Sequence, residues 1–174
     1  MIRKAKKEEL CAVAQSYQEL FQYEAAHGST TNWADGLYPT KDTAECAFAA
    51  DTLYVLETDG VLGGSIILNQ IQPPEYDGID WKYPAASREV LVIHTLCIRP
   101  SQARSGYGRQ MVAFALKKAH QLGCKAVRLD TWEGNVPAAS LYQSMGFRLA
   151  GSAPMCLQGL IQEQQIYLEC EVSR

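Results

Sequence analysis

A chain of 174 residues, 47% apolar and 20% charged, has the make-up of an ordinary globular protein and the length to bury a sizeable core. Its formal net charge of −3 argues against general nucleic-acid binding, and no run approaches the roughly 18 uninterrupted apolar residues of a membrane span. The opening MIRKAKKEEL turns charged before an apolar leader could form, and six singly scattered cysteines with three histidines out of zinc register point to free thiols in a reducing cytoplasm, without a metal.

In chain order, Met1 to Ala5 reads as a short edge strand. Lys6 to about Ala26 follows as a helix, with Leu10, Val13, Ala14, Tyr17, Leu20 and Phe21 on one stripe and Gly28 as its cap. The polar, aromatic-studded stretch Ser29 to Thr40 is a loop, and a shorter helix runs from about Lys41 to Ala50. Leu53–Glu57 and Val61–Leu68 are strands joined by Thr58-Asp59-Gly60, a hairpin signal, and Gly63-Gly64 in the second predicts a bulge or a close backbone approach.

Gln70 to Arg88 is a long irregular segment in which Tyr76, Trp81 and Tyr83 alternate with Glu75, Asp77 and Asp80. It suits either a surface excursion tucked onto the body or a lid over substrate. Glu89–Ile98 is the most apolar strand. A helix over Gly106–Leu122, a strand over Ala126–Thr131, a helix over Asn135–Met145 and strands over Phe147–Met155 and Ile161–Val172 complete the chain. The central strand–helix–strand unit makes two parallel neighbours, and the flanking hairpins are antiparallel. The expectation is one domain over residues 1–174, an α/β (α+β) fold with a mixed, mostly antiparallel sheet of about seven strands, a central parallel pair and about four helices.

The run LCIRPSQARSGYGRQ, Leu96 to Gln110, joins the apolar strand to the next helix. Its glycines allow close approach of backbone N–H groups, and the helix N-terminus attracts an anion. Between Leu96 and Leu129 lie seven basic residues (Arg99, Arg104, Arg109, Lys117, Lys118, Lys125, Arg128) and no acid, so the rest of the chain sums to −10. A phosphate ligand fits. Neither G-x-x-x-x-G-K-[ST] nor G-x-G-x-x-G is present, which sets aside nucleotide hydrolysis and hydride transfer.

Two motifs, together with the element order, resemble the GCN5-related N-acetyltransferase (GNAT) superfamily. Its acyl-coenzyme A loop, Q/R-x-x-G-x-G/A, is matched by Ala103-Arg104-Ser105-Gly106-Tyr107-Gly108 in both glycines but not in its leading residue. Its N-x-x-A-x-x-L-Y-x-x-x-G-F motif is met by Asn135, Ala138, Leu141, Tyr142, Gly146 and Phe147. The resemblance implies acetyl transfer from acetyl-CoA to a primary amine of a small molecule by direct attack. It also implies coenzyme A contacts from Leu96, Cys97, Ile98, Ala103, Arg104, Ser105, Gly106, Tyr107, Gly108, Arg109, Asn135, Ala138 and Tyr142. With Ala103 in the leading place, Arg104 or Arg109 would supply the charge.

An alkylammonium has a pKa near 10.4, so a base must free its nitrogen, and the departing thiolate needs a donor. His94, alone in an apolar strand, is the candidate base, with Glu133 in reserve. Its position resembles a catalytic histidine of arylalkylamine N-acetyltransferases, whose partner histidine is Val92 here. Tyr142 is the candidate donor to the thiolate. Trp33, Tyr76, Trp81 and Trp132 are candidates to meet a cationic substrate. A non-catalytic acyl-CoA-binding module and a protein acetyltransferase remain as alternatives, and the resemblance admits a homodimer.

Overall fold

The computed structural model describes residues 1–172. The strands are β1 (Ile2–Lys4), β2 (Leu53–Thr58), β3 (Val61–Asn69), β4 (Val90–Ile98), β5 (Ala126–Trp132), β6 (Arg148–Leu157) and β7 (Ile161–Glu171), and the helices are α1 (Leu10–His27), α2 (Lys41–Ala49), α3 (Tyr107–Gln121) and α4 (Val136–Ser144). The strands form one seven-stranded sheet in the order β1-β2-β3-β4-β5-β7-β6. β4 and β5 run parallel, whereas β1–β2, β2–β3, β5–β7 and β6–β7 are antiparallel. The mixed sheet and its central parallel pair are those expected from the sequence. The first helix differs at its start, where a 3-10 turn over Lys7–Glu9 precedes α1.

The chain packs as two compact units, Met1–Ile67 with Thr95–Met111, and Leu68–His94 with Val112 onward. In the first, Leu10, Val13, Tyr17 and Phe21 recur every three or four positions, so α1 turns them onto one face. They join Ala44 and Ala47 of α2, Leu53 and Val55 of β2, Leu62 and Ile67 of β3, and Cys97 in one core. Thr40 caps α2, its hydroxyl accepting from the Thr43 N–H.

The Gly63-Gly64 pair marks two close approaches within this unit. A Cβ on Gly63 would meet the Tyr107 ring at 2.8 Å, and one on Gly64 would lie 2.7 Å from the carbonyl oxygen of Cys97. A ring can swing aside; a backbone carbonyl in a sheet cannot. Gly64→Ala is therefore expected to lose about 1–3 kcal/mol of stability by overpacking. Urea unfolding midpoints measure it, with Gly63→Ala as the milder control.

In the second unit β4 is buried without interruption from Val90 to Ile93, as a central strand covered on both faces requires. Tyr76, Val90, Val92 and Tyr167 form a core, with Ile79, Trp81, Ala85, Ala150 and Ala153 packed against it. α3 buries Val112, Ala115 and Ala119, and Phe147 is buried at the start of the closing hairpin. The residue 70–88 segment is thus no loose lid. It is a strap whose Tyr76 lies in this core with Trp81 packed against it, the tucked form of the two that its sequence allows.

Candidate active site

In the first unit, β4 enters at Thr95 with φ 40°, a left-handed conformation for a β-branched residue and a true backbone outlier. Such strain persists only where the surroundings enforce it, and it concentrates at functional sites. Thr95 is 8% exposed, and its Oγ1 hydrogen-bonds the Tyr38 hydroxyl. Beyond it, Cys97 points into the core, where burial pushes its thiol up to about 12 and removes it as a nucleophile. Leu96 and Ile98 stay half-buried.

The glycine loop follows. Pro100–Gln102 forms a 3-10 turn, then Arg104 (φ 64°) and Gly106 (φ 75°) both adopt left-handed conformations before α3 begins at Tyr107. Ala103, Arg104, Ser105 and Gly106 are exposed, and nothing lies within 4 Å of the Cβ position of Gly106. The first N–H groups of a helix have no partner within it, so this open concavity suits phosphate oxygens. The basic stretch is partly committed elsewhere: Arg99 pairs with Glu19 at 2.9 Å and Lys125 with Glu89 at 3.0 Å, while Arg128 lies 3.8 Å from Glu169. The exposed cations closest in sequence to the loop are Arg104 and Arg109. Tyr107, expected at the cofactor, lays its ring against Gly63. Trp33 packs on the α1–α2 core, edge-on to Tyr38 at 5.9 Å.

In the second unit the parallel pairing joins Val90–Val92 to Ala126–Arg128 and stops, although β5 continues to Trp132. His94 and Asp130 lie on the continuing stretches. His94 Nε2 is 3.0 Å from Oδ1 of Asn69, an oxygen that also accepts the Ile71 N–H at 2.9 Å. That assigns the histidine proton to Nε2. Burial pushes the His94 pKa down to about 4, a backbone contact with Ile71 opposing without overcoming it. Its geometry is that of a neutral donor to Asn69.

The sign of that shift gives a test. Unfolded histidine titrates near 6.5, so between pH 6.5 and about 4 the unfolded chain binds the extra proton. The His94 contribution to stability is complete above pH 6.5 and lost as pH falls through 4. Urea unfolding at pH 7, 5 and 4 is expected to show this decline, reduced in His94→Gln.

Tyr142, on α4, is 5% exposed and stacks obliquely on Phe147 at 5.5 Å. Burial, and then the charge of Asp130, raise its pKa, so its hydroxyl stays protonated and keeps a proton to donate. Asn135 caps α4: its Oδ1 accepts the Ala138 N–H at 3.2 Å, and its Nδ2 donates to Thr131 at 3.2 Å. Glu133 is exposed, and Trp132 folds back over Gly134. Tyr76 and Trp81, expected at the substrate, are core members with rings 5.2 Å apart.

Asp130 went unnoticed in the sequence. Its Oδ1 accepts the Tyr76 hydroxyl at 2.6 Å, and its strand register places it opposite Tyr167. A charged residue inside the strand AVRLDTW, between the glycine loop and the tyrosine motif, was the available signal.

The model of the acetyltransferase (GNAT) family matches residues 10–147, well over half the chain. This chain belongs to that family. It is similar to the uncharacterized N-acetyltransferase YvbK of Bacillus subtilis, 24% identical over 111 residues, which are 64% of this chain and 62% of that relative's length. Among solved structures, a GNAT-family acetyltransferase from Streptococcus agalactiae superposes with a TM-score of 0.78 at 19% identity, covering 100% of this chain and 96% of the other. YncA of Salmonella typhimurium, solved with its cofactor acetyl-CoA, gives 0.71 at 17% identity over 100% and 94%. These likenesses establish the GNAT fold. Among the described residues no group of His, Cys, Asp and Glu could hold a metal ion, and no helix is long and apolar enough to cross a membrane.

Proposed function

We propose that this GNAT chain moves an acetyl group from acetyl-CoA to the primary amine of a small molecule, by direct attack within a ternary complex. The observation that carries the reading is the open glycine loop, with two left-handed residues ahead of α3, in one chain with a buried, always-protonated tyrosine on α4. The loop's N–H groups, with Arg104 and Arg109, would hold the pyrophosphate of the acyl donor, and the backbone of Leu96–Ile98 would run beside its pantetheine arm as an added strand. Bound acetyl-CoA supplies an electrophilic thioester carbonyl. Tyr142 would donate a hydrogen bond to the sulfur as the C–S bond breaks. The strap speaks for a small acceptor, because it is pinned to β5 and β7 and contributes Tyr76 to Asp130 rather than standing off as a peptide channel.

The test is thiol release from acetyl-CoA against a panel containing n-butylamine, spermidine, alaninamide and a peptide with a free N-terminus. Turnover with a small amine is expected. Binding of acetyl-CoA without thiol release would mark a non-catalytic module, and exclusive turnover of the peptide would mark a protein acetyltransferase.

A further inference from the structure

Two carboxylates, Glu24 and Glu169, are buried in this molecule and a third, Asp130, is half-buried, and they are satisfied very unequally. Glu24 is 6% exposed and accepts from the N–H and hydroxyl groups of Thr30 and Thr31 and from the Ser29 hydroxyl. Glu169 is fully buried and meets Arg148, Arg128 and two strap N–H groups. Asp130 has one side-chain donor, the Tyr76 hydroxyl, and among the described residues no cation pairs with it. Its surroundings are low in polarity: Tyr76 and Tyr167 are 2% and 0% exposed, and the Tyr167 hydroxyl is buried without a hydrogen-bond partner. Burial raises the Asp130 pKa, the Tyr76 hydrogen bond opposing and the Glu75 charge adding to it. Asp130 itself is half-buried, so it is not sealed from solvent. A half-buried carboxylate without a counter-charge costs stability, and the compensation it lacks is a cation.

We infer that Asp130 is the group that binds the acceptor's ammonium and takes its proton, with Tyr76 of the strap as the residue that positions the carboxylate. The inference rests on the acetyltransferase reading. In the step, the ammonium gives one proton to Asp130. The freed nitrogen lone pair forms the N–C bond to the thioester carbonyl carbon. Collapse breaks the C–S bond, whose electron pair leaves with sulfur, and sulfur gains the second nitrogen proton. The products are amide and thiol, and the Asp130 carboxylic acid returns its proton to water. The groups that act on this titration are Glu75 and Tyr76 on the strap; Asp130 in turn raises Tyr142 on α4 and Tyr167 on β7, and Arg128 acts on Tyr76 from β5.

The experiment compares the full chain with Asp130→Asn and Tyr76→Phe. Asn is isosteric and still accepts from Tyr76, so Asp130→Asn is expected to fold with an unchanged or higher Tm and to bind acetyl-CoA within twofold of the parent. Its kcat/KM for the amine that turns over should fall about 100-fold or more. The acidic limb of the parent profile should lie above that of an ordinary aspartate. Tyr76→Phe, which removes a hydrogen bond to the charged form, should move that limb to higher pH. Retention of kcat/KM within threefold in Asp130→Asn, or an unmoved limb in Tyr76→Phe, overturns the proposal. If no amine turns over, the acetyltransferase reading fails by itself, and carboxyl-carbon NMR of labelled aspartate decides the site: n-butylammonium should shift the Asp130 resonance saturably and n-butanol should not. Equal response to both, or to neither, overturns it.

Discussion

Glu169→Ala is expected to cost about 3–5 kcal/mol, the amount typical of removing one partner of a buried ion pair. Glu169 Oε1 accepts from Arg148 at 2.6 Å and from the Lys82 N–H at 2.6 Å, and Oε2 lies 3.5 Å from the Tyr83 nitrogen and 3.8 Å from Arg128 Nε. Arg128 is 4% exposed, with its guanidinium over Trp81 at 4.3 Å and hydrogen bonds to Gln72 and to the Tyr83 carbonyl. Without Glu169, Arg128 keeps its stacking and those two bonds but is a buried charge with no counter-ion. Two strap N–H groups lose their acceptor as well. For a chain of this size the loss corresponds to a fall in Tm of roughly 10 °C.

Two variants separate charge from packing. Arg148→Met removes the partly exposed cation and should cost under about 1 kcal/mol, as exposed pairs do. The joint change Arg128→Met with Glu169→Leu removes both buried charges and should recover most of the loss, because paired burial seldom gains net stability over apolar packing. Urea unfolding of the set is the measurement. A Glu169→Ala protein within 1 kcal/mol of the parent would mean that the strap is not held from below.

This anchoring shows where the sequence was readable and where it was not. Helix faces and strand order follow from local periodicity, and Leu10, Val13, Tyr17 and Phe21 sit where their spacing puts them. The two GNAT motifs are local as well, since a turn and a helix start need particular residues at fixed offsets. The left-handed Thr95 is not legible, because nothing in VLVIHTLCI separates a strained residue from a regular one. Nor does composition distinguish a strap from a lid: that depends on Glu169, far along the chain in β7, meeting Arg128 across the sheet. His94 reads as a candidate base from its lone place in an apolar strand, where a satisfied buried histidine is the other reading. Its partner Asn69 and its desolvation are tertiary facts. Asp130 was hidden by the same limit, as its environment comes from Tyr76, Tyr142 and Tyr167, on three other segments.

Tyr142→Phe carries the second large effect, a fall in kcat of about 100-fold with the KM for acetyl-CoA nearly unchanged. A tyrosine near 10 is already a weaker acid than a thiol near 8.5, and burial together with Asp130 drives Tyr142 higher still. It therefore never transfers its proton outright. In the proposed role it would stabilise the sulfur only as charge develops there, an interaction made in the transition state and absent from the ground state. Phe keeps the ring on Phe147, so Tm should not fall. Thiol release in single turnover is the readout, and full retention of rate would remove Tyr142 from the chemistry. The Asp130 charge also links the two sites: burial keeps the Tyr142 pKa raised, and Asp130→Asn should remove the smaller, electrostatic part of that rise. A double-mutant cycle should then be non-additive, because the rate lost on Tyr142→Phe depends on which residue stands at 130. Additive losses would mean that the carboxylate and the hydroxyl act apart.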